Sequence, residues 1–309
     1  MSTFETRNKK RELTEKLIKS ALIIASGISI LTTFGILFSI LFESIEFFQM
    51  RSFWYFITGT EWSPGVEGSK FGAVPIFAGT FVITIIALAV AIPVGLGSAI
   101  YMSEYASSNT RDYLKPILEV LAGIPTVVYG FFAAITVAPF IVKAADWFGL
   151  EATFNSALAS GVVMGIMIIP VISSLSDDVI RSVPDSQRKA ALGLGLTQGE
   201  TIRDIVIPSA LPGIISASLL GLSKALGETM IVVMAAGLRP NLSWNPLEDM
   251  TTVTVTIVNS LVGDFEFNSP ETLSAFALGL VLFVVTLVLN IISLSLIRKF
   301  KEKYKVNTL

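Results

Sequence analysis

The chain contains no cysteine and no histidine in 309 residues, and only 15% of it is charged. The first absence excludes disulfides and thiol nucleophiles. The second excludes imidazole general bases, and the two together exclude most zinc and haem ligation. No Gly-x4-Gly-Lys-Ser/Thr occurs, so no loop of the chain can cradle nucleotide phosphates, and it cannot draw energy from a nucleotide itself. No Gly-x-Ser-Gly occurs either, which argues against an intramembrane hydrolase. The shortage of charge is itself informative. A soluble domain carries about a quarter charged residues, whereas this chain is 52% hydrophobic with a mean hydropathy of +0.72. The composition is that of an integral membrane protein.

A helix needs about 20 apolar residues to cross the hydrocarbon core. Six runs qualify: 21–42, 72–102, 117–142, 155–175, 211–237 and 273–297. The first is too long for the apolar core of a signal peptide, about 7–15 residues, and is read as a retained span. Seventeen of the 22 Lys and Arg residues fall in the arm 1–20, loops 103–116 and 176–210, and the tail 298–309. Basic residues concentrate in cytoplasmic loops, which puts both termini in the cytoplasm. The opposite loops hold only Arg51, Lys70, Lys143 and Arg239, beside eleven carboxylates.

The arm 1–20 reads as a basic helix on the membrane surface that anchors the topology. Residues 21–71 form the first span and an external loop rich in aromatics. Trp54, Tyr55 and Trp62 there suit either an interfacial belt or a docking surface. Prolines and glycines interrupt several spans (Pro75, Pro93, Gly123, Pro125, Gly165, Pro170), which suits a packed bundle in which neighbours re-satisfy the backbone. No internal repeat is evident, which argues mildly against a transporter built from inverted repeats.

Two segments stand out. Loop 176–210 is the longest cytoplasmic connection and is patterned. Pro184 to Leu196 suits a helix, with Asp185 and Ser186 at its start and Gly193 and Gly195 at its end. A second short helix, about 198–206, would run into Pro208, so the two form a knob for a partner's groove. The other segment is Ser223-Lys224-Ala225-Leu226-Gly227-Glu228-Thr229, inside the fifth apolar run. Opposite charges four residues apart share a helix face and can pair. Charges at membrane depth tend to mark pathways. The pair is read either as a structural ion pair or as an anion site.

Ala190-Ala191-x-x-x-Gly195, nine residues, then Ile205-x-Ile207-Pro208, resembles the EAA loop of binding-protein-dependent ABC importer permeases. The resemblance implies that Lys189, Ala190, Ala191, Gly195, Ile205 and Pro208 belong to a loop that docks on a cytoplasmic ATPase. The family's leading Glu is Lys189 here, and its Leu before Pro is Ile207. Residues 221–230, Gly-Leu-Ser-Lys-Ala-Leu-Gly-Glu-Thr-Met, are similar to a stretch of the phosphate-specific permeases called PstC. Met230 separates them from the paralogous PstA-type subunit, which tends to read Gly-Glu-Thr-Ala-Pro. Ala122-Gly123-Ile124-Pro125-Thr126-Val127-Val128-Tyr129-Gly130 also looks like that family's segment.

The resemblance covers about residues 72–297 and implies an all-α, six-span permease of the type-1, MetI-like fold, with a cytoplasmic coupling helix in 184–208. It further implies alternating access for inorganic phosphate, with Ser223, Lys224, Glu228 and Thr229 along the pathway. The family's Arg stands as Lys224 here. The implied partners are a PstA-type permease, two copies of a PstB-type ATPase, a PstS-type periplasmic phosphate-binding protein and membrane lipid, with no nucleic acid. The chain itself would hold no cofactor, ATP and Mg being bound by the ATPase. Permeases for phosphonate or sulfate, and an ATP-independent anion channel, are the rival readings.

Overall fold

A computed structural model describes residues 2–65, 68–262 and 266–303. Among them, six helical stretches are long and apolar enough to cross a membrane: 14–50, 74–105, 126–147, 157–181, 198–226 and 270–299. The first span belongs to α1 (Ser2–Met50), which continues unbroken from the basic arm. The arm is therefore an extension of the span and not a separate helix. The end of the tail, 304–309, lies outside the described residues.

The loop after α1, expected from the sequence to be external, folds as α2 (Phe53–Thr58) and a hairpin of β1 (Trp62–Ser63) and β2 (Lys70–Phe71). Its aromatics divide into two groups. Phe47, Phe56 and Phe71 are buried and meet edge-to-face, with ring centroids 5.4 and 5.5 Å from Phe47, the arrangement that ring quadrupoles favour. Trp62 joins them at 5.5 Å from Phe71. This group is a small core that seats the hairpin, while Trp54 and Tyr55 remain exposed, together with Phe53.

The second and fourth spans make the frame. α3 (Val74–Ile100) ends in a π turn, Tyr101–Tyr105. α4 (Ser108–Ala122) buries none of its side chains. It stops at Gly123-Ile124-Pro125, and the third span starts only at α5 (Thr126–Phe132), continuing through a second π turn into α6 (Ala138–Trp147). The run 117–142 is thus not one span. Pro125 lacks the N–H that a continuing helix needs and disfavours the helical conformation just before it, so the segment carrying Glu119 stays outside the membrane stretch.

α7 (Ala157–Arg181) runs parallel to α3, and glycines set the spacing between them. A Cβ on Gly165 would stand 2.8 Å from the Ala87 carbonyl oxygen, and one on Gly95 3.0 Å from Ile172. Small residues let backbones approach in a medium where apolar burial no longer drives association.

Loop 176–210 contains α8 (Asp185–Gly193) and α9 (Gln198–Thr201). Beyond α9 the chain does not break at Pro208. It passes through a third π turn, Ile202–Val206, into α10 (Ile207–Leu226), with Pro208 in the first turn, where a missing N–H costs little. The helix that carries the fifth apolar run is therefore continuous over 198–226 and stops short of the 237 expected. Gly227-Glu228-Thr229 interrupts the helix before α11 (Met230–Ala235). The segment read as an external loop, 238–271, holds α12 (Val253–Val262), and α13 (Pro270–Lys303) is the last span.

Candidate functional site

The interruption at 227–229 shapes the charged site. α10 packs antiparallel on α7, with Gly213 against Val179 and Gly221 against Ile168 and Ile172. Lys224, one turn beyond Gly221, therefore stands level with the middle of α7. The pairing expected from the sequence is not made. Among the described residues Lys224 forms no salt bridge. Glu228 turns instead toward the start of α11, where its Oε1 accepts the N–H groups of Met230 at 3.0 Å and Ile231 at 3.3 Å.

The expectation of an ion pair on one helix face assumed that the helix continues. It ends at Leu226, and the i,i+4 geometry ends with it. Each charge is matched by a helix terminus: Lys224 lies in the last turn of α10, where free carbonyls favour a cation, and Glu228 at the amide end of α11, which favours an anion. Glu228 is 8% exposed, Lys224 and Thr229 are half-buried, and Ser223 is exposed. The result is a half-buried cation level with the middle of α7 that forms no salt bridge among the described residues, beside a carboxylate that is already engaged.

One element missing from the sequence reading, α12, closes on the break. Thr254, in the first turn of α12, donates its hydroxyl to the Glu228 carbonyl at 2.8 Å and sits 3.0 Å from the Thr252 hydroxyl. The Val253 N–H is in turn held by the Thr80 hydroxyl of α3 at 3.0 Å. Across the break, Gly130 of α5 brings the third span against α11, since a Cβ there would lie 3.0 Å from the Met230 carbonyl oxygen. The 122–130 and 221–230 segments thus pack on each other. Thr252 and Thr254 give no sequence signal of a site, because a short hydroxyl-bearing apolar run does not announce its neighbours.

The second candidate site is the knob formed by loop 176–210. α8 ends in a Schellman cap: Leu196 donates its N–H to Ala191 at 3.2 Å and Gly195 to Leu192 at 3.0 Å, with Gly195 at φ +91°. That conformation is the one expected for the glycine after the helix. Lys189 and Ala190 are exposed, and Ile205 and Pro208 are half-buried. Ala191 is only 4% exposed and faces its own chain, so it supports the knob from beneath. The surface next to Gly195 is instead apolar: Leu194 is 84% and Leu192 50% exposed. Sequence reasoning missed both leucines, although two leucines flanking glycine in a polar loop were signal enough. α9 starts with a capping box, in which the Thr197 backbone N–H and hydroxyl both donate to Glu200 Oε2 at 2.8 Å.

With this geometry in place, comparison with known proteins is direct. Residues 91–303 match the family described as binding-protein-dependent transport system inner membrane component. A probable ABC transporter permease protein of Bacillus subtilis, YqgH, is 36% identical over 81% of this chain and 78% of its own length. The phosphate transport system permease protein PstC 1 of Mycobacterium tuberculosis is 33% identical over 79% of this chain and 82% of its own. The PstC protein of Pasteurella multocida is 31% identical over 87% of each. Among solved structures, the inward-facing MetNI methionine ABC transporter aligns with a TM-score of 0.55 at 16% identity, covering 74% of this chain and 94% of that one. That likeness shows the MetI-type fold.

Proposed function

We propose that this chain, which belongs to the family of binding-protein-dependent transport system inner membrane components, is the permease subunit of an ATP-driven importer of inorganic phosphate. The observation that carries the proposal is Lys224: a cation level with the middle of α7, half-buried and without a carboxylate partner among the described residues. The printed names of relatives such as the Mycobacterium and Pasteurella PstC proteins support phosphate as the anion.

Lysine is a compact point charge, where the arginine fork would impose bidentate geometry. It can attract a tetrahedral oxyanion in any orientation, so selectivity would rest largely on the binding protein that delivers the cargo. The carbonyl end of α10 and the nearby Glu228 moderate the field, and an ion that is attracted but not clamped can leave. Alternating access would open this site to each side in turn. The pathway would be completed by a PstA-type permease, and a PstS-type protein would supply phosphate from outside. Two PstB-type ATPases, holding ATP and Mg, would receive the α8 knob. Membrane lipid surrounds the assembly, and both termini lie in the cytoplasm.

Two measurements test this reading. In proteoliposomes holding the chain with its partner permease, ATPase and phosphate-binding protein, labelled phosphate should accumulate with ATP, and sulfate and phosphonate should not. Equal uptake without ATP would make the protein a channel, and sulfate or phosphonate uptake would reassign the cargo. For orientation, Trp244→Cys should react with an impermeant maleimide in intact cells whose outer barrier is open. Tyr113→Cys should react only after the inner membrane is opened. Both side chains are strongly exposed, at 75% and 77%, so the reverse pattern would invert the topology and remove α8 from the ATPase side.

A further inference from the structure

We propose that Arg188 is the positioning residue through which movement of the coupling helix α8 reaches the transmembrane spans, an inference that rests on the permease reading above. The Arg188 side chain projects from α8 yet is only 17% exposed. One guanidinium serves three elements. Nη2 donates to Glu104 Oε1 at 2.9 Å and to the Ile180 carbonyl at 2.9 Å, and Nη1 donates to the Val183 carbonyl. Glu104 lies in the π turn that ends the α3 span, and Ile180 lies in the last turn of α7. The planar five-donor group is suited to such branching, and an ammonium is not. Gln198 at the start of α9 donates to the Glu104 backbone carbonyl at 3.0 Å, so both arms of the knob grip the same π turn.

The elements tied by Arg188 are those that carry the site. α3 and α7 pack through glycines as a parallel pair, and α7 in turn seats α10 through Gly213 and Gly221. A displacement of α8 therefore runs through Arg188 to α3 and α7 together, and from α7 to the helix end that bears Lys224. Asp185, on α8 itself, lies 3.5 Å from Arg188 Nη1 while Nη2 holds Glu104, so one guanidinium joins a carboxylate of α8 to a carboxylate of the π turn. These groups line a polar cavity of about 460 Å³. A planar group fixed at both ends passes a displacement of α8 on to the π turn and α7, where a single flexible contact would absorb it.

Phosphate imported per ATP hydrolysed in the reconstituted complex separates transmission from simple assembly. Arg188→Ala should leave the ATPase bound at wild-type stoichiometry and hydrolysing ATP, while the phosphate-to-ATP ratio falls roughly tenfold, the equivalent of one lost charge-assisted hydrogen bond. Arg188→Lys should recover only part of the ratio. Glu104→Gln keeps an acceptor but no charge and should fall between them; it carries the test if Arg188→Ala does not accumulate. Adding Arg188→Ala to Glu104→Ala should cost no more than either alone.

An unchanged ratio in Arg188→Ala, strictly additive losses, or loss of the ATPase from the purified complex in proportion to uptake would each overturn the proposal. If the wild type carries another oxyanion, the cargo reading fails, but the ratio measured with that oxyanion still decides the role of Arg188.

Discussion

Lys224→Ala should cut phosphate uptake by roughly tenfold or more while the protein accumulates normally in the membrane, because a charge-assisted contact to a dehydrated anion is worth at least that factor. The two halves of this expectation come from different observations. Uptake falls because the mid-depth cation is gone. Abundance holds because Glu228 does not depend on Lys224: its carboxylate is engaged by the Met230 and Ile231 amides, with no contribution from the ammonium. Had the two charges formed the buried pair that their spacing suggests, removing one would have stranded the other at a cost of about 3–5 kcal/mol, and the variant would vanish from the membrane. Uptake and abundance measured side by side therefore test function and geometry together. Lys224→Arg should retain uptake. The double variant Lys224→Met with Glu228→Gln keeps an Oε1 acceptor for α11 and should fold, yet it should not transport. Wild-type uptake by that double variant, at equal abundance, would end the anion-site reading.

Local signals made much of this architecture legible. The long apolar runs located six spans, and Pro184, Asp185, Gly193 and Gly195 bracketed α8 within a residue or two, because caps and left-handed glycines act through nearest neighbours. The interruption at 227–229 was hidden because hydropathy averages across it. Leu226 and Met230 are equally apolar on either side, and only the Gly227-Glu228-Thr229 triplet, itself a helix stop followed by an acidic cap, hinted at two helices. Pro125 gave the same warning for the third span, but an apolar window running through 117–142 outweighed it. α12 was lost for another reason: ten residues are too few to cross a bilayer, and nothing local shows that Thr254 folds back onto Glu228. Arg188 is the clearest case of information that only the fold holds. Beside Lys189 it reads as one more basic residue of a cytoplasmic loop, and its partners lie 84 and 8 residues away in the chain.

Gly195→Val should weaken ATPase association by roughly five- to thirtyfold, about 1–2 kcal/mol for forcing a side chain into a left-handed conformation, without changing insertion of the protein. Gly195 sits at φ +91°, and a Cβ built there would meet no atom within 4 Å. Clash therefore plays no part, and the penalty is purely one of backbone conformation. This makes a ranking the informative result. Gly195→Asn and Gly195→Asp should be milder than Gly195→Val, because Asn and Asp tolerate the left-handed region. Gly193→Ala should be nearly silent, since Gly193 lies within α8 at an ordinary φ with open space around it. The physical consequence of losing the cap is specific. Without the bonds from Leu196 to Ala191 and from Gly195 to Leu192, the turn that presents the 84%-exposed Leu194 loses its fixed direction. Leu194→Asp, which leaves the cap intact, should therefore reproduce the association defect of Gly195→Val. Copurification of the ATPase measures all five variants on one scale. Equal binding by Gly195→Val and wild type would show that the knob is not the docking element. Normal binding by Leu194→Asp alone would keep the docking role but assign the contact to Lys189 and Ala190 on the other exposed face of α8.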